Sequence, residues 1–336
     1  MRKLDKSLAF WMIVRGTRSY YTKRPIGVSF EVTHSCNCNC LHCDWGGMKP
    51  KEKRLSVDDY RRLERKLKPT LLQLSGGEPL LRKDILEIIA AVKERTGLPY
   101  LVLVTNGSHL TEDLYLEAGR LGVNQFSISL DFPDERHDKF RRHRGLFQRL
   151  SDIVPKLASH GRDDIILNTA ITSWNLPYLH QIYEKAKEWG TNVSYSPYTI
   201  LRVGETEYDI KAPKDLELLK ETIDRLVALR RLNGRIVNSD WTLNNMYEFF
   251  KNGGIPGCMA GERHMVVNPD GTFRPCSMFD LKFKTRKEMV EKFTKTNECG
   301  ACYVSIRSYL TQSYRHLLID NVKERVFKIV PGNGRK

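Results

Sequence analysis

Thr33-His-Ser-Cys-Asn-Cys-Asn-Cys-Leu-His-Cys-Asp44 follows a short β-rich segment over 28–33. Within it Cys36, Cys40 and Cys43 form a C-x3-C-x2-C run. Three thiolates this close together hold three irons of a [4Fe–4S] cube. The fourth iron then has no protein ligand, and an open iron binds and reduces a ligand. Cys38 stands outside the triplet. A cube held by all four thiols would lose its open iron, so Cys38 reads as a bystander.

The surroundings of this run set the fold. From residue 28, short β-branched or apolar runs alternate with longer amphipathic stretches. The spacing predicts strands over 27–33, 70–75, 100–105, 124–130, 165–172 and 192–198, and helices over 56–67, 82–96, 111–121, 147–160, 176–189 and 213–232. Ser56 before Asp58 and Asp59, and Thr111 before Glu112 and Asp113, are helix start signals. Strands alternating with helices imply a parallel sheet with βα crossovers. Strands read as nearly all apolar point to burial on both faces. The expected fold class is α/β, a partial (β/α)6 TIM-like barrel with a small C-terminal α+β auxiliary-cluster domain. Barrel active sites lie where chain leaves strand for loop, and the cysteine run follows the first strand directly.

After about residue 235 the alternation stops. A Gly/Pro-rich stretch, Lys251-Asn-Gly-Gly-Ile-Pro-Gly257, leads to a second cysteine group: Cys258, Cys276, Cys299 and Cys302. Val266-Val-Asn-Pro-Asp-Gly-Thr-Phe273 reads as a hairpin that brings Cys258 and Cys276 together, and a helix over about 303–321 is expected to close the fold. The expected division is 1–26, a basic amphipathic segment; 27–235, the barrel; 236–325, the second cysteine unit; and 326–336, a basic tail. Disulfide scaffolds spread their cysteines, whereas metal sites cluster them, and no secretory signal is visible. Iron–sulfur and tetrahedral zinc both suit the second group.

Charged residues make up 28% and hydrophobic ones 40%, a globular rather than disordered composition. No apolar run approaches the roughly 20 residues that span a bilayer. A cytoplasmic location is expected. The net charge of +15 favours anionic partners: nucleic acid, phosphorylated small molecules or acidic lipid headgroups. A solvated surface rich in Lys and Arg accounts for it equally. Leu8-Ala-Phe-Trp-Met-Ile-Val14, flanked by Lys and Arg, has two readings: a helix covering one end of the barrel, or an interfacial segment in peripheral membrane contact. The basic run 136–144 likewise reads as a solvated helix face or as an anion grip at the barrel mouth. His264, Tyr198 and Asp280 are candidates to border the substrate.

With Gly76-Gly-Glu-Pro79 after the second strand and Ser129-Leu-Asp131 at the fourth, the cysteine run resembles the radical S-adenosylmethionine (radical SAM) superfamily over most of residues 28–200. The resemblance implies a [4Fe–4S] cluster on Cys36, Cys40 and Cys43 that binds S-adenosylmethionine (SAM) and cleaves it to a 5′-deoxyadenosyl radical. Gly76, Gly77 and Glu78 would meet the methionine amino group, and His42 would pack near adenine. Ser129 and Asp131 match the family's ribose and carboxylate contacts, with Asn106 and Asn168 as further cofactor-binding candidates. The second group resembles a twitch domain, a shortened relative of SPASM, which implies one auxiliary [4Fe–4S] cluster on Cys258, Cys276, Cys299 and Cys302.

The expected function is hydrogen abstraction from an anionic small molecule or membrane lipid, completed as oxidation or C–C bond formation with the auxiliary cluster. An electron donor such as ferredoxin or flavodoxin is the implied partner. Peptide maturation and tRNA modification are the alternatives. Only 35 residues precede Cys36, which leaves no room for a leader-binding domain. No RNA-binding module is evident, which counts against nucleic acid. A non-catalytic zinc protein is the third reading.

Overall fold

The computed structural model describes residues 5–313. The chain opens with α1 (Lys6–Tyr21), capped by the Asp5 carboxylate, which accepts from Ser7 N and Leu8 N. There follow β1 (Gly27–Thr33), α2 (Val57–Leu67), β2 (Leu71–Gly76), α3 (Ile85–Ala91), β3 (Tyr100–Thr105) and α4 (Glu112–Arg120). Next come β4 (Gln125–Ser129), α5 (Arg136–Arg141), α6 (Leu146–Ala158), β5 (Ile165–Ile171), α7 (Leu179–Glu188) and β6 (Asn192–Pro197). The chain continues through α8 (Pro213–Asn233), α9 (Asp240–Asn252), β7 (His264–Val267), β8 (Phe273–Arg274), α10 (Arg286–Lys292) and α11 (Ser305–Leu310).

One sheet holds all these strands in the order β6-β5-β4-β3-β2-β1-β7-β8. Strands β1 to β6 are parallel and sequential, which is the partial barrel expected; the sheet is not closed. The expected hairpin forms, as β7 and β8, but β7 also pairs in parallel with β1 and so extends the barrel sheet. Helix α9 was not expected. Its signal was present: Ser239 Oγ caps the helix by accepting from Thr242 N, and Leu243, Met246 and Phe250 recur at helical spacing on the buried side. The closing helix is shorter than expected over the described residues, and its expected continuation beyond 313 lies outside them, as do 326–336 and 1–4.

The strands are not apolar on both faces. Val28, Phe30, Val32, Leu72, Leu74, Leu101 and Leu103 face the surrounding helices and are fully buried. The alternate positions, Ser29, Glu31, Gln73, Ser75, Ser129, Asn168 and Ser196, line a cavity inside the sheet. A closed TIM barrel packs its interior with branched apolar layers. An open one keeps space there, and polar side chains find partners: Ser29 Oγ lies 2.6 Å from Ser75 Oγ, and Asn168 Nδ2 donates to Ser127 Oγ over 2.8 Å.

Helix α1 covers the barrel's N-terminal end. Leu8 packs with Leu98, Tyr100 and Val102, and Met12 joins them. Arg15 Nη2 donates to Glu94 Oε2 at 2.7 Å and fixes the helix over the strand entrances. The cysteine loop, after β1, lies at the opposite end.

Candidate active site

The loop after β1 is held in place by backbone contacts. Cys36 N donates to Gly47 O, Leu41 N to Phe140 O and Asn39 N to Arg141 O. The last two come from α5, so the basic run is only partly a solvated face. Lys139 and Arg144 are exposed, whereas His137, Phe140 and Arg141 are buried against the loop.

Cys36, Cys38, Cys40 and Cys43 all border a cavity of about 320 Å³ at the C-terminal ends of the strands. Cys38 lies between its neighbours. Its thiol hydrogen-bonds towards Cys36 and Cys40, and this above all lowers each of those two thiols to a pKa of about 7. Arg141 Nη1 reaches Cys40 Sγ at 3.7 Å. Burial raises Cys43. No three Cys, His, Asp or Glu side chains among the described residues converge as ligands of a single ion do.

Gly76 and Gly77 border the same cavity, and the chain itself demands them there. A Cβ at Gly76 would stand 2.2 Å from Thr33 O, and one at Gly77 2.2 Å from Ser35 O. Gly77 N donates to Thr33 O and Glu78 N to Ser35 O, so the end of β2 is laced to the start of the cysteine loop. Asn106 Nδ2 points at that loop, 3.2 Å from Cys38 Sγ and 2.9 Å from Asn37 Oδ1. His42 stacks on Phe140 with ring centroids 4.9 Å apart. Burial lowers its pKa to about 3, so the ring is neutral, and its Nδ1 has no hydrogen-bond partner. Ser129 and Asn168 face the cavity from β4 and β5.

Two of the expected cofactor contacts do not reach the cavity. Glu78 is fully buried behind it, accepting from Thr105 Oγ1, Asn106 N and Leu80 N at 2.7–2.9 Å. Its carboxylate fixes the end of β3. Asp131 is fully buried too, accepting from Arg141 Nε and Ala170 N. It anchors Arg141. In this structure backbone, hydroxyl and guanidinium donors already occupy both carboxylates.

Three side chains in the wall, Arg202, Trp45 and Glu31, escaped the motif reading. Arg202, after β6, lies over the Trp45 ring at 5.3 Å, is ion-paired with Asp44, and has no partner at Nε. Glu31 on β1 is paired with Arg274 and lies 2.8 Å from His34 Nε2. An ionisable residue inside an otherwise strand-like run was its signal. Of the three unsupported candidates, only His264 borders the cavity. It is neutral, with burial lowering its pKa to about 4, and Nδ1 has no partner. Tyr198 donates to Glu205 O within an aromatic cluster, and Asp280 pairs with Lys282 at the surface.

The second cysteine group also assembles. Cys258 and Cys276 share a small apolar cluster with Cys299, Phe279 and Phe293, and Cys302 interacts electrostatically with Cys258 and Cys276. None is in a disulfide. Burial raises Cys258 and Cys302 and pushes Cys276 up to about 12. Thiols so placed stay protonated unless a metal displaces the proton. Arg307, 1% exposed, donates to the carbonyls of Cys302 and Ile255 and ties the group together. Cys276 also borders the central cavity.

An open α/β barrel carrying a cysteine loop at its mouth is the arrangement that the radical SAM resemblance implies. Residues 30–186 match the radical SAM superfamily, so the chain carries a radical SAM domain. The domain implies one [4Fe–4S] cluster used with SAM. Over 319 residues the chain is 27% identical to the AdoMet-dependent heme synthase of Methanosarcina barkeri, covering 84% of this chain and 89% of that one. Over 150 residues it is 33% identical to GTP 3',8-cyclase of Klebsiella pneumoniae, of which it covers 45%. The fold is similar to that of anSMEcpe with bound AdoMet, at TM-score 0.62 and 18% identity over 90% of this chain and 99% of that one. It is also similar to Streptococcus suis SuiB bound to S-adenosylmethionine, at TM-score 0.60 and 15% identity over 90% and 74%. Among the described residues no helix is long and apolar enough to cross a membrane.

Proposed function

We propose that this enzyme abstracts hydrogen from an unactivated C–H bond of an anionic small molecule and completes an oxidation or C–C bond formation with one auxiliary [4Fe–4S] cluster. Cys36, Cys40 and Cys43 would hold the first cluster, and Cys258, Cys276, Cys299 and Cys302, in the unit 236–325, the second. When bound, the first cluster and SAM supply the 5′-deoxyadenosyl radical, and the second accepts or passes an electron. A donor such as ferredoxin or flavodoxin fits as the electron source. Arg141 offsets negative charge at Cys40, and His42 offers a neutral ring on Phe140 for an adenine to pack against. Asn106, Ser129 and Asn168 present amide and hydroxyl groups, and Gly76 and Gly77 keep the wall thin.

The observation that carries this reading is the shared cavity: Cys276 of the second group lines the same space as Cys36 and Cys40 of the first. Anaerobic reconstitution tests it. The full chain should bind about eight irons, and the triple Ala variants C36A/C40A/C43A and C258A/C276A/C302A about four each. Stoichiometric zinc in the second group, or no iron lost from the second variant, would overturn it.

The wall decides among substrates. Serines, Gln73 and Asn168 suit a polar molecule, and Arg202 offers it a cationic end. A haem-forming reaction on a carboxylated tetrapyrrole is the second reading, favoured by the heme synthase relative's coverage. Release of 5′-deoxyadenosine in step with product, with carboxylated tetrapyrroles and with phosphorylated metabolites as alternative substrates, separates the two.

A further inference from the structure

Helix α1 is apolar on two opposite sides. At about 100° per residue, Leu8, Met12, Arg15 and Ser19 fall on one face, and that face rests on the barrel floor. Phe10, Ile13, Val14 and Tyr21 fall on the opposite face. Their exposures are 57%, 36%, 42% and 72%, and Trp11 at its edge is 39% exposed. Large apolar side chains gathered on one exposed helix face mark an interaction surface rather than scattered surface residues.

The rim of this face is cationic. Lys6 stands at the N-terminal end of this face and Arg18 at its edge, and Lys23 and Arg24 follow the helix directly; all are exposed. The helix contains no acidic residue. A second copy of the same face would bring like charges together. Residues 314–336 of this chain are no better matched, with six Lys and Arg against two Asp and Glu. An apolar face ringed by cations complements an anionic bilayer surface, where ring and branched side chains enter the headgroup boundary and the cations meet lipid phosphates.

We propose that α1 is a membrane-docking helix for anionic lipid bilayers, and that it holds the barrel with its mouth turned away from the membrane. The orientation follows from topology. The face that rests on the strand entrances and the face that is exposed lie on opposite sides of α1, and the cysteine loop lies at the far end of the strands. Substrate therefore reaches the cavity from the aqueous side. This inference is independent of the substrate reading above.

Co-sedimentation of the full chain with vesicles tests it, using 1:1 phosphatidylglycerol–phosphatidylcholine against pure phosphatidylcholine. Binding to the anionic vesicles only is expected. Phe10→Ser/Val14→Ser, which leaves the charge unchanged, should weaken binding at least tenfold, and Lys6→Gln/Arg18→Gln should weaken it several-fold. Lys139→Gln/Arg144→Gln removes the same charge at the mouth end and should leave binding unchanged. Equal loss in the mouth-end pair would mean that net charge alone drives binding, and it overturns the proposal. So does equal binding to pure phosphatidylcholine. A concentration-dependent dimer abolished by the Phe10/Val14 pair would make the face a contact between copies instead. Vesicle binding gained only after removal of 314–336 would assign it to the tail. Thermal melts of each variant check that exposed-face changes leave the fold intact.

Discussion

Arg141 Nε donates to Asp131 Oδ2 over 2.6 Å, joining α5 to the end of β4 beneath the cysteine loop. Both groups are buried, and the same guanidinium extends to Cys40 Sγ. Removing one partner of a buried pair leaves an uncompensated charge, at a cost of about 3–5 kcal/mol. Asp131→Ala should lower stability by that amount in urea unfolding. It should also reduce iron retention at the first site, because Arg141 loses its anchor. Asp131→Asn keeps one acceptor and should lose less of both.

The two glycines after β2 are tested by a single methyl group. Gly76 has φ +118°, and a Cβ at either glycine meets backbone oxygen rather than a movable side chain. Gly77→Ala should destabilise the chain by about 1–3 kcal/mol, the cost of overpacking. The same variant should disorder the loop start, so iron per chain falls along with the denaturant midpoint. Unchanged iron with a lowered midpoint would confine the role of Gly77 to folding.

Much of this was legible in the sequence because local patterns were strong. The ends of all six barrel strands fall within one residue of the expected positions, since Gly27, Gly76 and Pro197 punctuate apolar alternation. The cysteine positions carried the site. Most of the polar interior was missed because Ser29, Ser75 and Ser196 look like tolerated small residues until the sheet curves them towards one another. Glu78 and Asp131 are the opposite case. A motif names a residue type, but which way the carboxylate points depends on Thr105, Asn106 and Arg141, which are remote in sequence. Arg202 and His264 lie outside any motif, and only β7 pairing with β1 brings His264 to the cavity.

His264 predicts a pH dependence. Its pKa is lowered by burial from 6.5 to about 4, so the folded state keeps it neutral where the unfolded state protonates it. The unfolded state then binds more protons, and stability rises with pH from about 4 to 6.5 and is full above that. Glu78, raised to about 7 by burial, contributes the reverse slope, with stability lost as pH climbs from 4.5 to 7. A variant comparison isolates the histidine. His264→Gln apoprotein, kept reduced, should lose about 3 kcal/mol less than wild type between pH 7 and pH 4, at roughly 1.4 kcal/mol per pKa unit. Parallel curves for the two proteins would remove His264 from the acid response.

Cys38 gives the sharpest check on the three-ligand reading. Its thiol is 2% exposed, borders the cavity, and lies 3.2 Å from Asn106 Nδ2, so proximity alone does not distinguish it from Cys36 and Cys40. Chemistry does, because an open iron requires that one of these four thiols stay off the cluster. Cys38→Ala should therefore retain the iron of the first site and SAM cleavage within about twofold. Cys40→Ala should lose about four irons and nearly all 5′-deoxyadenosine release. Removing the thiol at 38 should also raise the pKa of Cys36 and Cys40 in the apoprotein, since its hydrogen bonds are the largest influence lowering both. Slower alkylation of the reduced apoprotein near pH 7 would register that rise. If Cys38→Ala lost the iron and Cys43→Ala kept it, the cluster would rest on Cys36, Cys38 and Cys40.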